Sequence, residues 1–447
     1  MATDRSSLTS LEREKASVFH SWSAQSTINP FMVKDALGVY VTGEDGVTYL
    51  DFSSQLVNTN IGHQHPSVVK AIQDQAAVLC TIAPQHGYQS RYRAAELILD
   101  HSFDGATKVF FTNGGTEAVE HAVRMARLHT GRHKVMAAYR SYHGATATSI
   151  NLTGDPRRWA SDSGSAGVVH FFGPFFYRSA FFSSSEEQEC QRALENLEST
   201  ILFEGPSTIA AIILETIPGT AGIMIPPPGY LQGVREICTR YGIVFIADEV
   251  MVGFGRAGSW FAYQQHGVTP DLVTFAKGVN SGYIPLGGVV LNEAICATFN
   301  DRVYPGGLTY SGHPLACASA VASIEAMENE HIIENAKRIG DDVLRPGLLE
   351  LQARHRIIGD VRGVGVFFAL DLVSDRDTKE PLAPYGQSSP AMNEIVAACR
   401  REGLLIFANY HRIHVVPPCT ITDDEARNGL ARLDRALGVA DKYYVGV

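Results

Sequence analysis

The sequence predicts an α/β protein, with a central, mostly parallel β-sheet sandwiched by helices and a smaller α+β domain built from both chain ends. Three observations lead there. Short apolar runs alternate with helical-looking segments through the middle of the chain. Polar and glycine-bearing motifs fall at the carboxyl ends of those runs, where parallel sheets hold their ligands. The two ends of the chain carry a different pattern from the middle.

The start reads as a hairpin: Gly38-Val39-Tyr40-Val41 and Val47-Thr48-Tyr49-Leu50, joined by the turn Gly43-Glu44-Asp45-Gly46. Lys108–Thr112 reads as a strand and Thr116–Leu128 as a helix with alanines and valines on one face. Further strands are expected at Lys134–Ala138, Ala210–Leu214, Ile243–Ala247 and Leu272–Phe275, with a helix at Tyr230–Tyr241. Ser161–Gly167 and the aromatic run Phe171–Tyr177 read as an ordered surface insertion, its aromatics serving core or dimer packing. Beyond about residue 335 come a helix, short strands at Val366–Leu370, Leu404–Phe407 and Ile413–Val416, and a last helix from about Asp423. The expected division is 1–75 and 336–447 for the smaller domain and 76–335 for the larger.

At 447 residues the chain is too long for one small core. With 45% hydrophobic and 19% charged residues it has an ordinary globular balance. A formal net charge of −10, without a lysine–arginine block, argues against nucleic acid or an anionic membrane as partner. Met1 to Lys15 has no signal-peptide core, and no apolar stretch is long enough to span a bilayer. The seven cysteines are odd in number, scattered and free of CxxC spacing, so they read as reduced residues rather than a disulfide frame or metal site. A soluble, cytoplasmic protein is expected.

The chemistry centres on Lys277, in Val273-Thr274-Phe275-Ala276-Lys277-Gly278-Val279. A lysine ending a buried-looking strand is out of place, since lysine is almost never buried without a partner. A Schiff base to an aldehyde cofactor wants such a residue, because desolvation lowers the amine's pKa and makes it nucleophilic. Asp248, ending the run Ile243–Ala247, can then keep a pyridine nitrogen protonated and make the ring an electron sink. Asn113-Gly114-Gly115-Thr116-Glu117-Ala118 follows a strand and opens a helix; it is either a plain N-cap or a phosphate cradle. It has neither Walker nor GxGxxG spacing. Tyr142, before His143 and Gly144, can stack on an aromatic ring, and Glu215 ends its strand where a carboxylate can orient Asp248.

These motifs, with Asp248-Glu249-Val250-(x)2-Gly253-Phe254-Gly255-Arg256 and Thr309-Tyr310-Ser311-Gly312-His313-Pro314, occur in an order that resembles the class III aminotransferases. That family, the ω-amino acid transaminase group, belongs to the fold-type I pyridoxal-phosphate enzymes, and the resemblance covers roughly residues 30–440. It implies that Lys277 carries the cofactor and shuttles the proton, and that Asp248 pairs with the pyridinium. Tyr142 and Val250 would cover the two ring faces, with His143 and Glu215 in the same cofactor-binding set. Gly115 and Thr116 would bind the phosphate, and Thr309 would reach it from the neighbouring subunit of a homodimer, alone or paired into a tetramer. Arg256 would be structural. Two departures stand out. Gly114-Gly115-Thr116 replaces the frequent Ser-Gly-Ser but keeps a hydroxyl. Met251 replaces the glutamine of ornithine- and GABA-type members, which points to the broader ω-amine branch.

The resemblance implies a ping-pong transfer of an amino group to pyruvate or 2-oxoglutarate, with a lean toward taurine and β-alanine as donors. Arg412 is the expected carboxylate grip, since a guanidinium binds carboxylate through two bonds. Trp22, Leu56 and Val57 match segments at the substrate entrance; inter-subunit packing is their other reading. Another fold-type I reaction (aminomutase, racemase or decarboxylase) would keep every cofactor residue, and a non-catalytic binding protein of this fold is the remaining alternative.

Overall fold

The computed structural model describes residues 7–161, 164 and 166–446. Its centre is a seven-stranded sheet in the order 106–112, 287–292, 272–275, 244–248, 209–215, 134–138, 168–171. The strands from 272–275 to 168–171 are parallel, and Gly287–Asn292 runs antiparallel to both its neighbours. All residues of Ile209–Glu215 and Val244–Asp248 are buried, as befits strands covered on both faces.

Side chains alternate between the two helical layers. Val135, Ala137, Ala211 and Ile213 pack against Ala118, Val119, Ala122 and Val123 of helix Gly115–Thr130. Met136, Ile212, Leu214 and Phe245 face the opposite layer, with Leu197 of Glu186–Glu204 and Val234 of Tyr230–Tyr241. Gly131 and Gly242 end two of these helices in left-handed backbone, φ 68° and 60°, which favours glycine.

The strand and helix expected at Leu272–Phe275 and Tyr230–Tyr241 occur with those limits. The hairpin forms with Tyr40 opposite Leu50 and Val41 opposite Tyr49, and Val33–Leu37 adds a third strand. Leu404–Leu405, from the C-terminal part of the chain, pairs in parallel with Leu50 and Asp51.

The structure departs from the sequence reading in three places. Leu404–Phe407 is not one strand: Leu404–Leu405 joins the N-terminal sheet, and Phe407–Asn409 joins the sheet of 358–364, 367–375 and 412–415. The run Phe171–Tyr177, read as part of a surface insertion, begins with the last residue of the edge strand Val168–Phe171, and Phe171 is buried in the core in line with the packing reading of its aromatics. Of Ser161–Gly167, positions 162, 163 and 165 lie outside the described residues. The antiparallel strand Gly287–Asn292 was not anticipated.

Arg256 is fully buried and acts as a staple between the N-terminal loop and the C-terminal segment. Its guanidinium donates to Ser54 Oγ at 3.1 Å, Asn60 Oδ1 at 2.8 Å, Val366 O at 3.2 Å and Pro417 O. Removing it strands four acceptors in a dry interior. Arg256→Ala is therefore expected to cost about 3 kcal/mol or more, read as a large fall in Tm. Lysine cannot reproduce the fork and should not rescue it; an unchanged Tm would refute the staple.

Candidate active site

Residues at or just beyond the carboxyl ends of four parallel strands converge on a cavity of about 200 Å³ lined by Tyr142, Glu215, Asp248 and Lys277. Asp248 is fixed on three sides. Its Oδ2 lies 2.6 Å from His143 Nδ1, and its Oδ1 accepts from Thr274 Oγ1 at 3.0 Å and Val250 N at 3.1 Å. A carboxylate can only accept, so Nδ1 carries the imidazole proton. His143 Nε2 is then left buried without a partner.

Glu215 is the hinge pin of the cavity wall: Oε1 accepts from Tyr142 N and Oε2 from Gly219 N, both at 2.8 Å. Burial raises its pKa, which the neighbouring Asp248 reinforces and His143 opposes. Adjacent Glu249 is structural; its carboxyl, pushed up to about 7 by burial, accepts from Thr216 Oγ1 and the Ala262 and Tyr263 N–H groups.

Lys277 stands in left-handed backbone, φ 46°, at the end of Leu272–Phe275. Its side chain is half-buried because its tip faces the cavity. Among the described residues its ammonium has no hydrogen-bond partner. Desolvation lowers its pKa; the charges of Asp248 and Glu215 work against that, and Arg157 works with it. The amine is thus poised toward its neutral, nucleophilic form.

The opposite wall has the features of an anion cradle. A Cβ on Gly115 would lie 2.7 Å from Val250 Cγ1, and one on Gly144 would lie 2.3 Å from Thr116 Oγ1. Glycine is therefore required at both. The first-turn N–H groups at Gly115 and Thr116 have no intrahelical acceptor, and the helix dipole favours a negative charge there. Thr116 Oγ1 joins Thr146 Oγ1 at 2.8 Å and Ser149 Oγ at 2.7 Å in a hydroxyl cluster. Unpartnered amine, anion cradle and fixed carboxylate together fit a phosphorylated aromatic aldehyde.

The remaining expected residues lie elsewhere. Val250 and Met251 line the cavity. Thr309 is exposed and does not line it within its own chain. Trp22 is 69% and Leu56 50% exposed, whereas Val57 is buried in an apolar cluster with Ile217, Val252 and Phe367. Arg412 lines a second cavity behind the Thr220–Ala221 wall, donating to Ala221 O; burial lowers its pKa to about 10.

Sequence reasoning missed Arg157. Its guanidinium lies 3.6 Å from the centroid of the Tyr142 ring, while Asp155 holds it by an ion pair. The local signal was present, since Asp155 caps the turn Pro156–Arg158 with proline in its first position. What the turn faces is a tertiary fact. Thr146 and Ser149 were missed for the same reason.

Residues 22–437 match the family model described as aminotransferase class-III. The chain is 33% identical, over 99% of its length and 100% of the relative's, to the taurine–pyruvate aminotransferase of Bilophila wadsworthia. It is 35% identical, over 91% of its length and 93% of the relative's, to the 5-aminovalerate aminotransferase of Pseudomonas aeruginosa. Among solved structures it resembles the taurine:2-oxoglutarate aminotransferase of Bifidobacterium kashiwanohense in complex with PLP and glutamate. There the TM-score is 0.94 at 38% identity, covering 97% of this chain and 98% of that one.

Proposed function

Because the chain belongs to the class III aminotransferases, we propose that it moves an amino group from an ω-amino acid such as taurine or β-alanine to pyruvate or 2-oxoglutarate. It is a transaminase of fold type I that works with pyridoxal phosphate. The observation that carries the donor class is the pairing of the unpartnered Lys277 amine with arginines beside the same cavity.

Bound in the cavity, pyridoxal phosphate supplies an aldehyde for the donor's amine and a ring that takes up the electron pair of the broken C–H bond. Gly115 and Thr116 would hold its phosphate, Asp248 its ring nitrogen, Tyr142 and Val250 its faces, and Lys277 its aldehyde carbon. His143 and Glu215 support that set, one bonded to Asp248 and the other to the Tyr142 backbone. Lys277 Nζ, kept short of hydrogen bonds, would take the proton from the carbon beside nitrogen and deliver it to the carbon that had been the cofactor's aldehyde, the reverse half-reaction running the same transfer backwards. Arg412 would turn past Thr220–Ala221 to grip the acidic end of the substrate, with Arg157 adding positive charge from the Tyr142 side.

The purified enzyme's visible absorbance tests this. Taurine or β-alanine alone should bleach it, and a 2-oxo acid should restore it. If neither donor bleaches a coloured protein, the donor class is wrong. Arg412→Ala should raise KM for taurine and β-alanine on the order of tenfold to a hundredfold and leave an arylalkylamine unaffected. An equal effect on all three would refute the grip.

A homodimer with shared sites accounts for Thr309 lying outside its own cavity and for exposed apolar residues at Phe19, Trp22, Leu56, Val303 and Tyr310. The division of the chain into 1–75, 76–335 and 336–447 belongs to the same reading. No helix among the described residues is long and apolar enough to cross a membrane. The seven cysteines are free, six of them buried, in keeping with a reducing cytoplasm.

A further inference from the structure

We infer that the acceptor is a dicarboxylic 2-oxo acid, whose far carboxylate is held by Arg140 in the arginine-lined cavity beside Lys277. The inference rests on the transaminase reading of the Lys277 cavity and specifies its second substrate.

The second cavity, of about 220 Å³, is lined by Arg140, Arg178, Arg412, Asp371, Tyr385 and Tyr410 among others. Its charges do not balance. Asp371 is shared by Arg178 at 2.6 Å and Arg362 at 3.2 Å, with His411 at 3.5 Å. Arg362 also holds Asp360 at 2.6 Å, and Asp155 on the cavity wall is taken by Arg157. These carboxylates satisfy Arg178, Arg362 and Arg157. Arg412 and Arg140 are left without a carboxylate.

Arg412 donates to backbone carbonyls, at Ala221 and, at 3.4 Å, Asn409. The Arg140 guanidinium has neither an ion pair nor a hydrogen bond among the described residues; its one recorded contact is the Phe175 ring, 5.3 Å away. Burial draws its pKa down, as expected of a cation lacking an anion. A desolvated and unpaired charge is costly to keep. Its position is nonetheless tightly enforced. Arg140 sits in left-handed backbone, φ 70°, with its N–H bonded to Gly154 O at 2.9 Å. Gly154 is itself packed so closely that a Cβ there would meet Ala138 O at 2.3 Å. Strain of this kind is kept where it positions a functional group.

The two cavities share their walls. Arg140 faces one and Tyr142 the other; Asp155 faces one while its partner Arg157 covers Tyr142; Ala221 faces one and Thr220 the other. Two uncompensated arginines in a cavity that shares a wall with that of the reacting amine match two carboxylates on one molecule. Pyruvate would use only one of them.

The test compares wild type, Arg140→Gln and Arg140→Lys, each loaded with cofactor, with taurine or β-alanine as donor and 2-oxoglutarate or pyruvate as acceptor. Wild type should prefer 2-oxoglutarate in kcat/KM. Arg140→Gln should raise KM for 2-oxoglutarate on the order of tenfold to a hundredfold. KM for pyruvate and the rate of donor bleaching should stay unchanged, and Arg140→Lys should restore part of the loss. A wild type that prefers pyruvate, no loss in Arg140→Gln, or equal losses with both acceptors would overturn the inference while leaving the transaminase reading standing. Failure of any donor to bleach wild type would remove that reading, and this inference with it.

Discussion

Lys277→Ala is expected to abolish transamination, with kcat falling on the order of 10⁴-fold or more, and to leave the fold intact. The size follows from what is lost: a positioned acid–base group is worth about 10²–10⁴-fold, and the same amine is the nucleophile. The second half of the expectation is less usual. Burial holds the Lys277 ammonium below its ordinary value of 10.5, so the folded chain binds fewer protons than the unfolded one. Between the depressed value and 10.5, stability contributed by this group rises with pH; below that window the charged lysine is a net cost. Removing it should therefore not lower Tm near neutral pH in protein freed of small molecules, and the difference from wild type should vanish as pH approaches 10.5. Substantial residual turnover by the variant would sink the assignment of Lys277. A Tm well below wild type would contradict the desolvation argument alone.

Asp248→Asn should lower kcat by about 10³-fold, the scale of losing one preorganised electrostatic partner in a dry site. The geometry makes asparagine a sharp probe. Its oxygen can still accept from Thr274 Oγ1 and Val250 N, so the strand end should keep its shape. Its amide would face His143 Nδ1, where a carboxylate accepts at 2.6 Å. Two donors cannot meet, so the imidazole proton would have to move to Nε2, which is buried with no acceptor in reach. The checks are kcat with an ω-amino acid and the His143 tautomer by nitrogen NMR. A variant within tenfold of wild-type kcat, or one that keeps the proton on Nδ1, would show that the charge of Asp248 is not what matters.

The residues proposed to carry the chemistry were legible because each follows a strong local signal. Asp248 and Lys277 end apolar runs of strand length, and Gly115-Thr116 opens an amphipathic helix. Strand boundaries such as Leu272–Phe275 came from the same runs. Gly287–Asn292 was missed because Gly-Gly-Val-Val-Leu-Asn carries no periodicity, and its antiparallel direction is set by partners at 106–112 and 272–275. Leu404–Phe407 reads as one run, yet its halves pair with different sheets, which no window of four residues can reveal.

The sequence by itself determined the fold class, the family and the residues bearing amine, carboxylate and cradle, because strand-end position and residue chemistry are local properties. Only the tertiary structure decided which groups face one another. His143 meets Asp248 across 105 positions, Arg157 covers Tyr142, and Arg412 lies behind the Thr220–Ala221 wall. It also decided that Arg140 would be left without an anion, since Asp371, from another sheet, is already taken by Arg178 and Arg362. Charge balance is a sum over neighbours in space, and the neighbours are chosen by packing.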